Sequence, residues 1–131
     1  MSSHMHLQPF ARVNDVAFDT PLEALLRRFP HPLSTGRNAV DLNEVDYGHT
    51  VYRFQDSGRL EEVTARAAIL HLDTLAIPFT ALGAFVRQHD AACFERAGFL
   101  VSPGFGIAFV PSQPHWVTAL ARHALVQWEA L

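Results

Sequence analysis

An α+β domain with a mostly antiparallel sheet is the fold class this sequence predicts, and three observations carry it. Two segments alternate polar and apolar residues around glycine-containing turns, which is the pattern of β-hairpins. Three other segments repeat apolar residues at three- and four-residue steps, which is the period of a helix. The remaining observation is size. A chain of 131 residues, 49% hydrophobic and 18% charged, has the length of one domain and can bury roughly two thirds of its unfolded surface. Residues 1–131 are therefore read as a single domain, with two hairpins packed against an N-terminal, a central and a C-terminal helix.

The first helix starts at Thr20-Pro21-Leu22-Glu23. Thr at N-cap, Pro at N1 and Glu at N3 form a capping-box pattern, and Leu22, Leu25, Leu26 and Phe29 follow as an apolar stripe. Pro30 and Pro32 end it. Residues 34–48 are rich in turn formers and read as a connection, with a short strand expected around Ala39 to Leu42.

The first hairpin runs from Thr50 to Gln55, turns at Asp56-Ser57-Gly58 and returns from Arg59 toward Leu72. Glycine in the third loop position suits a left-handed residue that closes Gln55 against Arg59. That register places Arg53 opposite Glu61 and Val51 opposite Val63, with Tyr52, Phe54 and Leu60 on the other face. Ala67 to Leu70 is apolar at every position and reads as the interior continuation of the returning strand.

From Phe79 the period is helical through Leu82, Val86, His89 and Cys93. Gly98 fits a C′ residue, while Asp90 fits the cap of a further short helix, so one helix and two both remain open. Phe99 to Val101 and Gly106 to Val110 form the second hairpin around Ser102-Pro103-Gly104-Phe105, with a loop longer than two residues. After Pro111 and Pro114, the positions Val117, Leu120, Ala121, Ala124, Trp128 and Leu131 share one helical face and predict the C-terminal helix. Residues 1–10 read as a polar leader, disordered or an expression remnant, so His4 and His6 are set aside from site arguments.

Composition narrows the function classes. The net charge of −3 argues against a general nucleic-acid or anionic-membrane binder. The longest apolar runs are four residues, against the roughly 20 that span a bilayer. The single Cys93 forms no internal disulfide and carries no mark of an oxidising compartment. A cytoplasmic location is expected.

No catalytic, cofactor or metal motif stands out. His71 and Asp73 would share a strand face, but His31, His49, His89, His115 and His123 show no zinc-type spacing, and no metal is assigned. His89 and Cys93 lie within reach on a helix, yet a cysteine at a helix C-terminus is poorly placed to be a thiolate and fits a buried apolar position. Gly104-Phe105-Gly106 lacks the third glycine of a dinucleotide fingerprint and precedes a strand pattern. Neither catalytic residues nor cofactors are expected. An enzyme with an unsignalled site would draw on Asp73, Asp90 and His89.

Charge is unevenly placed. Residues 41–62 hold six acids, Asp41, Glu44, Asp46, Asp56, Glu61 and Glu62, against Arg53 and Arg59, which leaves the rest of the chain at +1. Such a segment reads either as a charge-protected sheet edge or as an electrostatic docking face for a basic partner.

Two stretches carry a family resemblance. The run from Tyr47 to Val63 holds a Tyr-x-Phe-x3-Gly-x-Leu-x2-Val hairpin, and Gly98 to Ser102 is followed by Gly106-Ile107-Ala108-Phe109-Val110-Pro111. Both resemble the hairpins of small α+β immunity proteins of bacterial polymorphic toxin systems, of the contact-dependent or type VI secretion kind. The resemblance implies a non-enzymatic, cytoplasmic inhibitor that binds a cognate toxin domain and occludes its active site, with no direct nucleic-acid or membrane binding. It is compatible with a homodimer. A toxin with a basic cleft would meet Asp46, Asp56, Glu61 and Glu62, with Tyr52 as an aromatic anchor if its face is exposed. A small-molecule-binding protein or enzyme, with groups drawn from His71, Asp73, His89 and His115, and an oligomeric scaffold subunit are the other two readings.

Overall fold

A computed structural model describes residues 3–131. The chain opens with three short strands, β1 (His4–Gln8), β2 (Arg12–Val13) and β3 (Val16–Ala17), followed by helix α1 (Leu22–Arg28). Four strands come next: β4 (Ser34–Arg37), β5 (Asn43–Asp46), β6 (Thr50–Phe54) and β7 (Leu60–Arg66). A tight hairpin of β8 (Ile69–Leu72) and β9 (Leu75–Pro78) leads into helix α2 (Phe79–His89). The last strands are β10 (Phe94–Arg96), β11 (Phe99–Ser102), β12 (Ile107–Phe109) and β13 (Trp116–Leu120), and the chain closes with a 3₁₀ turn at Arg122–Ala124 and helix α3 (Leu125–Glu129).

These strands form two sheets in a single α+β domain. The larger has eight strands in the order β10-β11-β12-β13-β7-β6-β5-β4. It consists of two antiparallel meanders joined where β7 pairs β13. The smaller has the order β3-β2-β1-β8-β9, and in it β1 runs parallel to β8, from His4 beside Ile69 to Leu7 beside Leu72. A parallel pair needs a long crossover, and residues between the two strands supply it. The core lies where both sheets and the two longer helices meet. Met5, Leu7, Leu25, Tyr52, Phe54, Leu60, Val63, Leu70, Leu82 and Phe109 belong to one buried cluster. A satellite cluster of Val101, Ala108 and Leu120, with Phe99, Leu125 and Trp128 packed against it, covers part of the reverse face of the large sheet.

The first hairpin turns as its sequence predicts. Gln55 N–H donates to Arg59 O at 2.8 Å, and Gly58 sits at φ 91°. The register then departs from the regular one. Phe54 pairs Leu60 but Arg53 pairs Glu62, Tyr52 pairs Val63 and Val51 pairs Thr64, with an irregularity between Arg53 and Phe54. The expected pairs Arg53 with Glu61 and Val51 with Val63 do not form. A regular ladder would have sent Leu60 and Val63 to opposite faces, since side chains alternate along a strand. One extra residue on β7 lets Leu60, Val63 and Ala65 all face the core, where each is at most 1% exposed.

Several other expectations need correction. Residues 3–8 are not a loose leader: His4–Gln8 alternates exposed and buried positions in β1, with Met5 0% and Leu7 2% exposed; residues 1–2 lie outside the described ones. No side-chain cap forms on α1. Its Leu22 N–H donates instead to Gly58 O at 3.1 Å, so the hairpin turn supplies the acceptor. The strand expected at Ala39 to Leu42 is the turn between β4 and β5, shaped by Asn38 Oδ1 accepting from Val40 N–H at 3.1 Å and Leu42 N–H at 2.9 Å.

Ala67 to Leu70 is not one interior strand. β7 ends at Arg66 and β8 belongs to the other sheet. One central helix forms, with Asp90 as its C-cap, and Gly98 at φ 85° turns β10 into β11 instead of ending a helix. Between β11 and β12 the loop is longer than two residues, as expected, with Gly106 N–H donating to Ser102 O at 2.8 Å. The long C-terminal helix is replaced by β13, the 3₁₀ turn and a short α3. Val117, Ala119, Leu120 and Ala121 are buried, and a run buried on both sides fits a central strand as well as a helix.

Candidate functional site

The outer face of the large sheet, away from the main core, is where polar chemistry collects. Because Tyr52, Phe54, Val63 and Ala65 point inward, their strand neighbours Arg53, Glu62 and Thr64 point outward. Arg53 is the hub. Its Nε donates to Glu44 Oε2 at 2.7 Å, and its Nη1 donates to Thr64 Oγ1 at 2.6 Å and to Glu62 Oε1 at 3.3 Å. Trp128 Nε1 donates to Glu62 Oε2 at 3.2 Å, and Thr64 Oγ1 lies 2.8 Å from Thr118 Oγ1. Burial pushes the Glu62 carboxyl above its ordinary range, outweighing the pull of Arg53.

These groups floor a groove of about 440 Å³. Two carboxylates, Glu44 and Glu62, face one guanidinium, Arg53, among the groups lining it, and Trp116, Trp128 and Phe99 contribute the aromatic walls. Phe99 meets Trp128 edge to face at 5.0 Å, and the Arg66 guanidinium lies over the Trp116 ring at 5.3 Å. A second hollow of about 230 Å³ continues past Trp128, bordered by Val40, Leu42, Leu131 and both acids of the bulge. The bulge is what brings Glu61 and Glu62 to one hollow, where a regular strand would have separated them.

Glu61 is 2% exposed. Gln55 Nε2 donates to its Oε2 at 3.2 Å, and His123 Nδ1 lies 3.2 Å from its Oε1. His123 Nε2 faces the Leu60 carbonyl at 3.1 Å and must donate there, because a carbonyl only accepts. Nδ1 of a neutral ring is then bare and has no hydrogen-bond partner.

The five residues expected to bind a partner separate. Tyr52 is 7% exposed, lies edge to face with Tyr47 at 5.8 Å, and has its hydroxyl pKa pushed up by burial. It is a core residue and not an exposed anchor. Glu61 and Glu62 are 2% and 8% exposed, so they floor a hollow instead of forming an open acidic face. Asp56 is exposed at the hairpin turn, where hydrogen bonds from Arg37 and Asn43 hold its carboxyl below the usual range. Asp46, half-buried on β5, accepts from Gly48 N–H at 2.7 Å and shapes the turn into β6.

The other candidates fare differently. Asp73, at φ 52°, lies in the β8–β9 turn beyond the strand that holds His71. His71 stacks on His6 at 4.2 Å, and its Nε2 lies 2.8 Å from His4 Nδ1. Among the described residues no group of three metal-ligating side chains is placed to hold an ion. His89 ends α2 and Cys93 lies beyond it, so their helical pairing does not form. Asp90 is a loop staple, accepting from Ser102 Oγ at 2.6 Å, Gly104 N–H at 2.9 Å and Ala92 N–H at 3.0 Å.

Sequence reasoning missed Arg53, Trp116 and Trp128 as the lining of one groove, and His123 as the neighbour of Glu61. Two Trp residues in a chain that needs only a small core were a signal, but the helical reading of residues 117–131 hid that Trp116 and Trp128 converge on one sheet face.

Comparison with known protein families, curated proteins and solved structures finds no match for this chain. Among the described residues no helix is long and apolar enough to cross a membrane.

Proposed function

We propose that this chain is an immunity-type binding protein that docks a cognate toxin domain on the outer face of its large sheet and occludes the toxin's active site. The observation that carries this reading is the groove in which Glu44 and Glu62 outnumber Arg53 between walls of Trp116, Trp128 and Phe99. Tryptophan and arginine are over-represented among residues that dominate binding energy. Surplus negative charge steers a basic partner and speeds its association. The two hairpins that resemble immunity proteins supply Arg53, Glu62 and Phe99 to this groove. On this reading the docking face is the recessed groove, with Asp46 and Asp56 away from its centre.

Growth of cells expressing the protein encoded beside this chain tests the proposal. Expressed alone, that protein should arrest growth, and coexpression of this chain should restore it. Arrest without restoration would contradict the reading.

One observation favours a second reading, a small-molecule site. A volume of about 440 Å³ falls within the roughly 300–1,000 Å³ of ligand pockets. Converging Arg53, Thr64 and Glu62 would orient a ligand against the aromatic walls. Thermal stabilisation of the isolated chain by a small polar aromatic compound, lost in Arg53→Ala, would support this alternative.

A further inference from the structure

We infer that the hollow beside the Glu61–Glu62 bulge is a socket for an arginine side chain presented by the docked partner, an inference that rests on the proposed function and names the partner's chemistry. Its lips are apolar and open to solvent: Val40 is 65% and Leu131 61% exposed. Its floor holds Glu61 and Glu62, and the Trp128 ring forms one side. Apolar lips over an acidic floor fit an amphipathic cation, whose methylene stem covers the lips while its charged head reaches the carboxylates.

Charge complementarity argues for such an occupant. Arg53 lies nearer Glu44, at 2.7 Å, than Glu62, at 3.3 Å. Glu61 accepts from the Gln55 amide and lies 3.2 Å from His123 Nδ1, and among the described residues no guanidinium pairs with it. The two buried carboxylates therefore have less cationic compensation than their number calls for, and a buried charge gains most from a paired, hydrogen-bonded counter-ion. Arginine suits the place better than lysine. Its planar fork can address two carboxylates and stack on an indole, whereas an ammonium is a more strongly hydrated point charge.

Titration of the full chain with hexa-arginine, hexa-lysine and hexa-glutamate peptides, followed by NMR at the Trp128 indole and the Leu131 amide, tests the socket. Hexa-arginine should shift both signals and bind several-fold more tightly than hexa-lysine, with hexa-glutamate inert. Glu61→Gln with Glu62→Gln should weaken binding by about tenfold or more. Val40→Lys, at an exposed turn position where the fold has little at stake, should weaken it comparably by placing a positive charge at the lip. Equal binding to Val40→Lys, preference for hexa-lysine, or shifts confined to Asp41 and Asp56 would overturn the socket. Its failure is separable from that of the immunity reading. Growth restored equally by wild type and Val40→Lys removes the socket and leaves the inhibitor, while arginine binding without growth restoration removes the inhibitor and leaves the socket.

Discussion

Arg53 faces Glu62 across the β6–β7 ladder, Nη1 to Oε1 3.3 Å, and that pairing exists because Glu61 is an extra residue on β7. Deleting Glu61 would therefore leave Leu60 beside Phe54, Glu62 beside Arg53 and Val63 beside Tyr52, with every side chain still on its present face. The deletion should fold and cost no more than about 2 kcal/mol in urea denaturation. Deleting Thr64 would slip Ala65 and Arg66 to the wrong faces against β6 and β13, and should leave little folded protein.

Glu62 gives the protein a particular pH dependence. Burial raises its folded-state pKa above the ordinary value of 4.5, so the native state holds its proton at pH values where the unfolded chain has lost it. Stability from this group is greatest at low pH and falls as pH rises from the ordinary value through the raised one. Glu62→Gln should remove that component. Urea denaturation at a series of pH values from 4.5 upward should show a less negative slope in the variant, and identical slopes would contradict the assignment.

Asp90 behaves in the opposite sense. Burial disfavours its charge, but hydrogen bonds from Ser102, Gly104 and Ala92 together outweigh it and hold the carboxyl below 3.8. Its contribution is present above the unfolded value and is lost as pH falls through the lower folded one. Asp90→Ala strands those donors and should cost about 2–3 kcal/mol at neutral pH. The difference between variant and wild type should shrink in acid.

The N-terminal strand is structural. Met5 is 0% exposed, whereas His4 and His6 beside it are exposed. Met5→Ala should lose about 2–5 kcal/mol, and His6→Ala should stay within about 0.5 kcal/mol, both read from thermal or chemical melts. Comparable small effects in both would mean that β1 adds little to the core.

The parts of the fold legible in the sequence are those where local chemistry decides the outcome. Gly58 announces the first turn, Pro103-Gly104 the second, and the Phe79, Leu82, Val86 stripe predicts α2. What escaped depends on partners distant in sequence. Ser34–Arg37 is exposed at every position, so β4 has no apolar alternation to betray it and exists because β5 pairs with it. His4-Met5-His6-Leu7-Gln8 does alternate, yet its significance lies in β8, more than sixty residues away. Trp116–Leu120 is a central strand whose apolar run matches a helix equally well until β7 and β12 are seen on either side. The site followed from those misses: the acids at 61 and 62 were legible as charge, but the bulge that buries both, and the Trp128 that meets them, were not.

Amide hydrogen exchange of this chain, alone and in complex with a toxin domain that it is found to neutralise, tests the proposed docking face most directly. Protection gained on binding should concentrate at residues 38–44 and 125–131, which border the groove and the hollow, and leave β2, β3 and the β8–β9 turn unchanged. Protection confined to β1, β2 and β8, with residues 38–44 and 125–131 unaffected, would contradict the account.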